Sequence, residues 1–259
     1  NSSVLVIIFF LSLISFRIAY DLINGIEYHY EEAQYWVWSQ NLSLSYLTKG
    51  PFVASIISFS NSIFGKSYLG LKFFSLLAYI GTIIFISCSS LALNKDKNIG
   101  ATALIITGLS PAVFFLGGVA STDVYLFFFW SLALFGYIKF TLNKDVRWFY
   151  FIALATGLGL LTKLSMALLP ISILIYFLFT EYRKYFCSIH LYSSALFAIL
   201  IASPIVIWNI ENDWLTLSHE MEHLVSGTSN NNPEILLMTM VFTVPSAVFL
   251  FMRDIRAKF

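Results

Sequence analysis

Apolar runs recur along this chain at lengths that fit a bilayer, and that recurrence restricts the fold more than any other feature. A spanning helix needs about 20 mainly apolar residues. Such runs occur at roughly 4–20, 67–93, 99–118, 123–141, 147–161, 164–180, 187–208 and 235–252. The expectation is an all-α polytopic membrane protein with eight transmembrane helices. Composition agrees: 58% of the 259 residues are hydrophobic and 11% charged, with a mean hydropathy of +0.80. These values exclude an ordinary soluble domain. A net charge of +1 and the lack of a Lys/Arg-rich run give no footprint for nucleic acid. Cys88 and Cys187 fall in or beside apolar runs and read as free thiols, not as a disulfide or a thiolate metal site.

Two lengths decide the topology. The segment Pro51 to Phe64 is apolar but reaches only about 21 Å as a helix, against a hydrocarbon core of about 30 Å, so it is expected to stay at the surface. The run Trp148 to Phe179 would make a helix of about 48 Å, so it is expected to bend near Gly157, Gly159 and Lys163. Val4 to Tyr20 has no small-residue cleavage pattern after it and reads as a span, not a signal peptide. With these choices Lys95, Lys97, Lys139, Lys144, Arg147, Arg183, Lys184, Arg253, Arg256 and Lys258 share one side. Arg17, Lys49, Lys66, Lys72 and Lys163 take the other. The richer side is cytoplasmic by the positive-inside rule. Residues 1–259 then form a single transmembrane domain, with an outer catalytic loop at 21–66 that carries interfacial helices and a second outer loop at 209–234.

The first outer loop is chemically dense. Between Glu27 and Pro51, Tyr28, Tyr30, Tyr35, Trp36 and Trp38 would hold the chain at the membrane surface. Glu31 and Glu32 are either solvated charges or a reactive pair. Neighbours on a helix point about 100° apart, so one of them can face inward. A carboxylate beside apolar surface suits a general base for a hydroxyl acceptor. Asp123, after Ser121 and Thr122, is either a helix cap or a second acid aimed at the same outer pocket, orienting the acceptor or a partner lysine. Lys49 either snorkels toward headgroups or is fixed by Gly50 and Pro51 as a positive charge for a phosphate leaving group. Lys163, at the expected bend, carries the same two readings.

Two other classes of function have a footing. His219, Glu220 and His223 match H-E-x-x-H, the spacing of a zinc membrane protease. Downstream only Glu234 and Asp254 remain as acids, neither a convincing third ligand, so coincidence on an amphipathic surface helix is the favoured account. A polytopic transporter or lipid flippase would line a path with its intramembrane charges, but it calls for repeated halves that this sequence does not display.

Taken together, these stretches resemble the integral-membrane glycosyltransferases of the dolichyl-phosphate-mannose protein mannosyltransferase type, which include the bacterial lipid A aminoarabinose transferase. The matching residues are Glu31, Glu32, Ala33, Gln34, Tyr35 and Trp36 in the first outer loop, then Lys49, Gly50 and Pro51. They continue with Thr122 and Asp123, Gly157, Gly159 and Lys163, and Trp208 and Asn209. Glu31 stands where that family commonly has aspartate, and Gln34 where an aromatic or histidine is frequent.

The resemblance implies a type C glycosyltransferase fold in the plasma (bacterial inner) membrane, with the active site facing the periplasm or exterior. The implied donor is a polyprenyl-phosphate sugar, and the acceptor is a glycolipid of the lipid A kind or a protein. Glu31 and Asp123 take the catalytic roles. Glu32, Tyr35, Trp36, Lys49, Lys163 and Asn209 take substrate-binding roles. The implied chemistry requires no cofactor; a divalent metal is compatible with it but not called for. Members of that family are longer, so this chain is expected to be the N-terminal part of one.

Overall fold

A computed structural model describes residues 2–23, 29–110, 113–114, 117–216, 218–219 and 221. Every regular element among the described residues is helical. Nine α-helices run in order: α1 Ser2–Ile23, α2 Tyr30–Gln40, α3 Phe52–Phe64, α4 Tyr68–Asn94, α5 Lys97–Leu109, α6 Thr122–Asn143, α7 Arg147–Leu160, α8 Leu168–Leu178 and α9 Ile189–Glu211. Short 3-10 turns at Leu164–Ala167 and Glu181–Cys187 flank α8. One compact unit covers Asn1–Trp214, and a second begins at Leu215. Of the second, the described residues Leu215, Thr216, Ser218, His219 and Met221 are helical.

Among the described residues three helices are long and apolar enough to cross a bilayer: α4, α6 and α9. A fourth span is possible if Leu164–Leu178 and Glu181–Cys187 count together, although these two are bent by 108°. The expected eight are therefore not what the described residues provide. The run at 99–118 is cut short because α5 ends at Leu109. The run at 147–161 gives an α7 of only 14 residues, about 21 Å long. The run at 4–20 lies within α1, and 235–252 lies outside the described residues. The expected bend after Gly159 is present: α7 stops at Leu160, and Lys163 is extended (φ −156°, ψ 133°) before the next turn.

Helix α6 is the centre of the packing, with α4 on one flank and α7 on the other, while α9 packs against α7. Its inward residues Val124, Phe129 and Ala133 join Tyr79 and Ile83 of α4 and Ile152 and Ala155 of α7 in the main core. The α7–α9 contact depends on Gly157. A Cβ there would lie 2.7 Å from Ile201 Cβ and 3.0 Å from the Ala198 carbonyl, so only glycine lets the two backbones come this close. A second cluster of Phe140, Phe149, Phe177 and Tyr182 closes the far end of α6.

The termini of α4 and α6 give the bundle two unlike ends. Both helices stop at a lysine in the left-handed conformation, Lys95 (φ 55°) and Lys144 (φ 57°). Each of these amides donates to the carbonyl four residues back, at 2.8 Å on Leu91 and 2.7 Å on Phe140. A cation there also complements the negative end of the helix dipole. Near Lys144, Arg147 pairs with Asp145 at 2.7 Å, and Lys144 itself approaches Glu181 at 3.7 Å. The starts of α4 and α6 lie at the opposite end, about 33 Å away along the 22 residues of α6.

Candidate active site

At that opposite end a buried ion pair fixes the first loop to the helix bundle. Glu32 is fully buried. Its Oε2 accepts from the His29 amide at 3.1 Å, and its Oε1 accepts from the Ala120 amide at 2.6 Å. The Lys72 ammonium lies 3.3 Å from the same Oε1 and donates to the Gly118 carbonyl at 2.7 Å. Glu32, expected as a substrate contact, is thus turned into the protein. Its neighbour Glu31 is half-buried and has no ion-pair partner among the described residues. Sequence reasoning placed Lys72 on the outer side but missed its place in the site. The available signal was that it is the sole charge in the apolar run 67–93, where an ionisable side chain needs a partner.

Two residues beyond Ala120, α6 opens at Thr122, with Asp123 next. Ser121 is the cap residue but makes no side-chain capping bond, and Asp123 does not cap the helix either. The Asp123 Oδ1 instead accepts from the Lys163 ammonium at 2.8 Å, with both side chains about one-third exposed (35% and 37%). Oδ2 has no hydrogen bond among the described residues.

Tyr35 stands one turn after Glu31 on α2. The side chain is fully buried, and its hydroxyl, like those of Ser121 and Thr122, has no hydrogen-bond partner among the described residues. Burial holds the Tyr35 phenol well above the ordinary tyrosine value, and the charges of Glu31 and Asp123 push it further the same way. The Thr122 hydroxyl opposes that shift, although the pair falls short of hydrogen-bond geometry. One buried hydroxyl thus feels both carboxylates, which come from segments far apart in sequence.

The Lys49 turn docks on the break after α7. The Gly50 backbone lies so close to Leu161 that a Cβ would be 2.0 Å from its carbonyl oxygen. The Phe52 amide donates to that same oxygen at 3.1 Å. Lys49 therefore sits beside the segment that carries Lys163. Its ammonium makes no ion pair among the described residues, and its own carbonyl accepts from the Tyr46 amide at 3.1 Å. Trp36 is half-buried, with the Lys66 ammonium 5.6 Å from its ring centroid, and Trp38 stacks on Tyr46 at 4.2 Å. Asn209, in the last turn of α9, is buried. Its amide donates to the Ile205 carbonyl at 3.0 Å, and its side-chain oxygen is left without a partner. It lies at the same end of the bundle, because α7 and α9 run parallel: Tyr150 meets His190 and Ser193, and Gly157 meets Ile201. No contact joins Asn209 to the two acids.

Among the described residues no three His, Cys, Asp or Glu side chains cluster as a metal site would require. Of the three H-E-x-x-H motif residues His219 is described; Glu220 and His223 lie outside the described residues.

The chain matches the family model of dolichyl-phosphate-mannose-protein mannosyltransferases over residues 48–208. It belongs to that family. The family match begins one residue before Lys49 and includes Lys72, Asp123 and Lys163, whereas Glu31, Glu32, Tyr35 and Trp36 precede it and Asn209 follows it. Two curated relatives extend across more of the chain. The lipid A galacturonosyltransferase RgtD of Rhizobium johnstonii is 27% identical over 209 residues, 77% of this chain and 42% of its own length. The lipopolysaccharide core galacturonosyltransferase RgtA of the same organism is 24% identical over 204 residues, 76% of this chain and 40% of its own length. The mannosyltransferase-family chain thus spans about two fifths of the length of these relatives. No solved structure matches it.

Proposed function

We propose that this chain carries the reactive residues of a membrane glycosyltransferase that moves a sugar from a polyprenyl-phosphate donor to a lipid A-like acceptor at the outer face of the plasma membrane. The observation that carries this reading is the Asp123–Lys163 contact at the end of the bundle to which buried Glu32 ties α2, and Glu31 with it, while the Lys49 turn docks beside Lys163 at Leu161. Membership of the family and the lipid A and core transferases among its relatives support the reaction class. Both relatives are named for galacturonic acid, so a hexuronic acid is the first sugar to test.

Each residue has a role in the displacement. The acceptor hydroxyl gives its proton to the free Glu31 carboxylate as its oxygen bonds to the anomeric carbon. The bond from that carbon to the phosphate oxygen breaks, and its electron pair leaves with the polyprenyl phosphate. Attack from the face opposite the leaving group inverts the anomeric centre. Asp123 keeps Oδ2 for the acceptor hydroxyl while Oδ1 holds Lys163. Lys49 meets the departing phosphate, since a fixed cation there stabilises charge that develops in the transition state. Tyr35, Trp36 and Asn209 shape the pocket around the sugar, and Glu32 acts from beneath by holding α2 in place.

The test compares envelope glycolipids and glycoproteins from cells with and without the full-length gene by mass spectrometry. The expected result is loss of one hexuronic acid or hexose from a lipid A or core species. Glu31→Gln in the full-length protein should give the same loss while the protein stays folded; unchanged glycolipids in both comparisons would remove the assignment.

A further inference from the structure

We propose that Lys72 is a positioning residue for this transferase: through its buried pair with Glu32 it sets the spacing between the carboxylates of Glu31 and Asp123. The inference rests on the reading of those two acids given above.

The bonding pattern is unusually economical in what it joins. Lys72 stands in the second turn of α4 with its side chain only 11% exposed. That ammonium touches two groups from distant segments, the Glu32 carboxylate of α2 at 3.3 Å and the Gly118 carbonyl at 2.7 Å. Glu32 in turn holds the Ala120 amide at 2.6 Å. The loop helix, the start of α4 and the strand of chain leading into α6 are therefore tied at a single buried point. Glu31 is the next residue from Glu32, and Asp123 lies three residues from Ala120. A shift at the tie would thus move one acid relative to the other.

Among the described residues no second cation pairs with Glu32. The other groups near the pair are the Tyr68 ring, 5.9 Å from the Lys72 ammonium, and the Tyr125 side chain, which is buried close enough to feel the charge of Glu32. Neither is a cation. Removing Lys72 alone would strand the buried Glu32 carboxylate, which a protein interior tolerates poorly, and α2 would swing outward with Glu31 on it. Removing both charges would not have that effect, because a glutamine at 32 can still accept the Ala120 amide.

With its ammonium engaged by Glu32 and the Gly118 carbonyl, Lys72 should act on turnover and not on donor binding. The experiment measures kcat and the donor KM of the full-length protein, per folded enzyme, for Lys72→Met and for the double variant Glu32→Gln with Lys72→Met. Misplacement of reacting groups by about 1 Å can cost about a hundredfold in rate. A kcat loss of about that size is expected for Lys72→Met with the donor KM unchanged, and most of it should return in the double variant. A raised donor KM with kcat intact would make Lys72 a substrate contact, and no change in either constant would make the pair purely structural; both overturn the proposal. Glu32→Asp keeps the charge but shortens the reach by one methylene, and it decides the matter if Lys72→Met is not recovered folded: retained kcat would refute the tie. If the wild-type protein transfers no sugar, the functional reading fails instead.

Discussion

Asp123 and Lys163, forty residues apart in the chain, meet at 2.8 Å. Because both are about one-third exposed, water and ions screen the pair, and its contribution to stability is at most about 1 kcal/mol. Its contribution to turnover should be far larger. Asp123→Asn is expected to lower transfer by about a hundredfold or more, with thermal stability in detergent almost unchanged. Parallel losses of activity and stability would show that the carboxylate acts on the fold and not on the reaction.

The Lys49 turn makes a sterically sharper prediction. A methyl group at position 50 would lie 2.0 Å from the Leu161 carbonyl oxygen, and backbone cannot move aside as a flexible side chain would. Gly50→Ala should therefore destabilise the protein by about 1–3 kcal/mol and displace Lys49 from the phosphate. The expected kinetic sign is a raised donor KM. Wild-type stability and KM in that variant would mean that the turn is not docked on the α7 break.

Alkaline pH offers a test of Tyr35. Its folded value is raised above the ordinary tyrosine value by burial first, then by Glu31 and Asp123. A group of this sign contributes stability that is fully present below its unfolded value and is lost as pH rises toward its folded one. Stability should thus decline above about pH 10, and Tyr35→Phe should decline less steeply there. Unfolding midpoints measured from pH 8 to 11 would check this; identical slopes would mean that the Tyr35 phenol is not held neutral by the fold.

The two ends of α6 predict opposite labelling. In a background lacking Cys88 and Cys187, a cysteine at Lys66 is expected to react with an impermeant maleimide added outside cells, and one at Lys144 only after permeabilisation. Reaction of both from the same side would undo the proposed orientation.

Several of these features could be read before any coordinates. A lysine fixed by glycine and proline, a Thr-Asp pair opening an apolar run, and a lone lysine at a glycine-marked bend each departed from what a plain span requires. The 100° rule allowed one of Glu31 and Glu32 to turn inward, but did not say which. That choice depends on Lys72 and the Ala120 amide, and nothing in the spacing of residues 32, 72 and 120 announces that they meet. The number of spans was less legible for a related reason. Hydropathy registers that 99–118 and 147–161 are apolar, whereas the length of each helix depends on where the backbone leaves it, after Leu109 and after Leu160.

The break after α7 also bears on how the molecule assembles. A carbonyl released from a helix inside a membrane needs a donor, and for Leu161 that donor is the Phe52 amide, which heads α3. The ribosome delivers Phe52 long before Leu161, so the entry to α3 waits with its amide unengaged until α7 has been made. Closure of the Lys49 turn is thus a late event in biogenesis: the turn cannot dock until synthesis has passed Leu161.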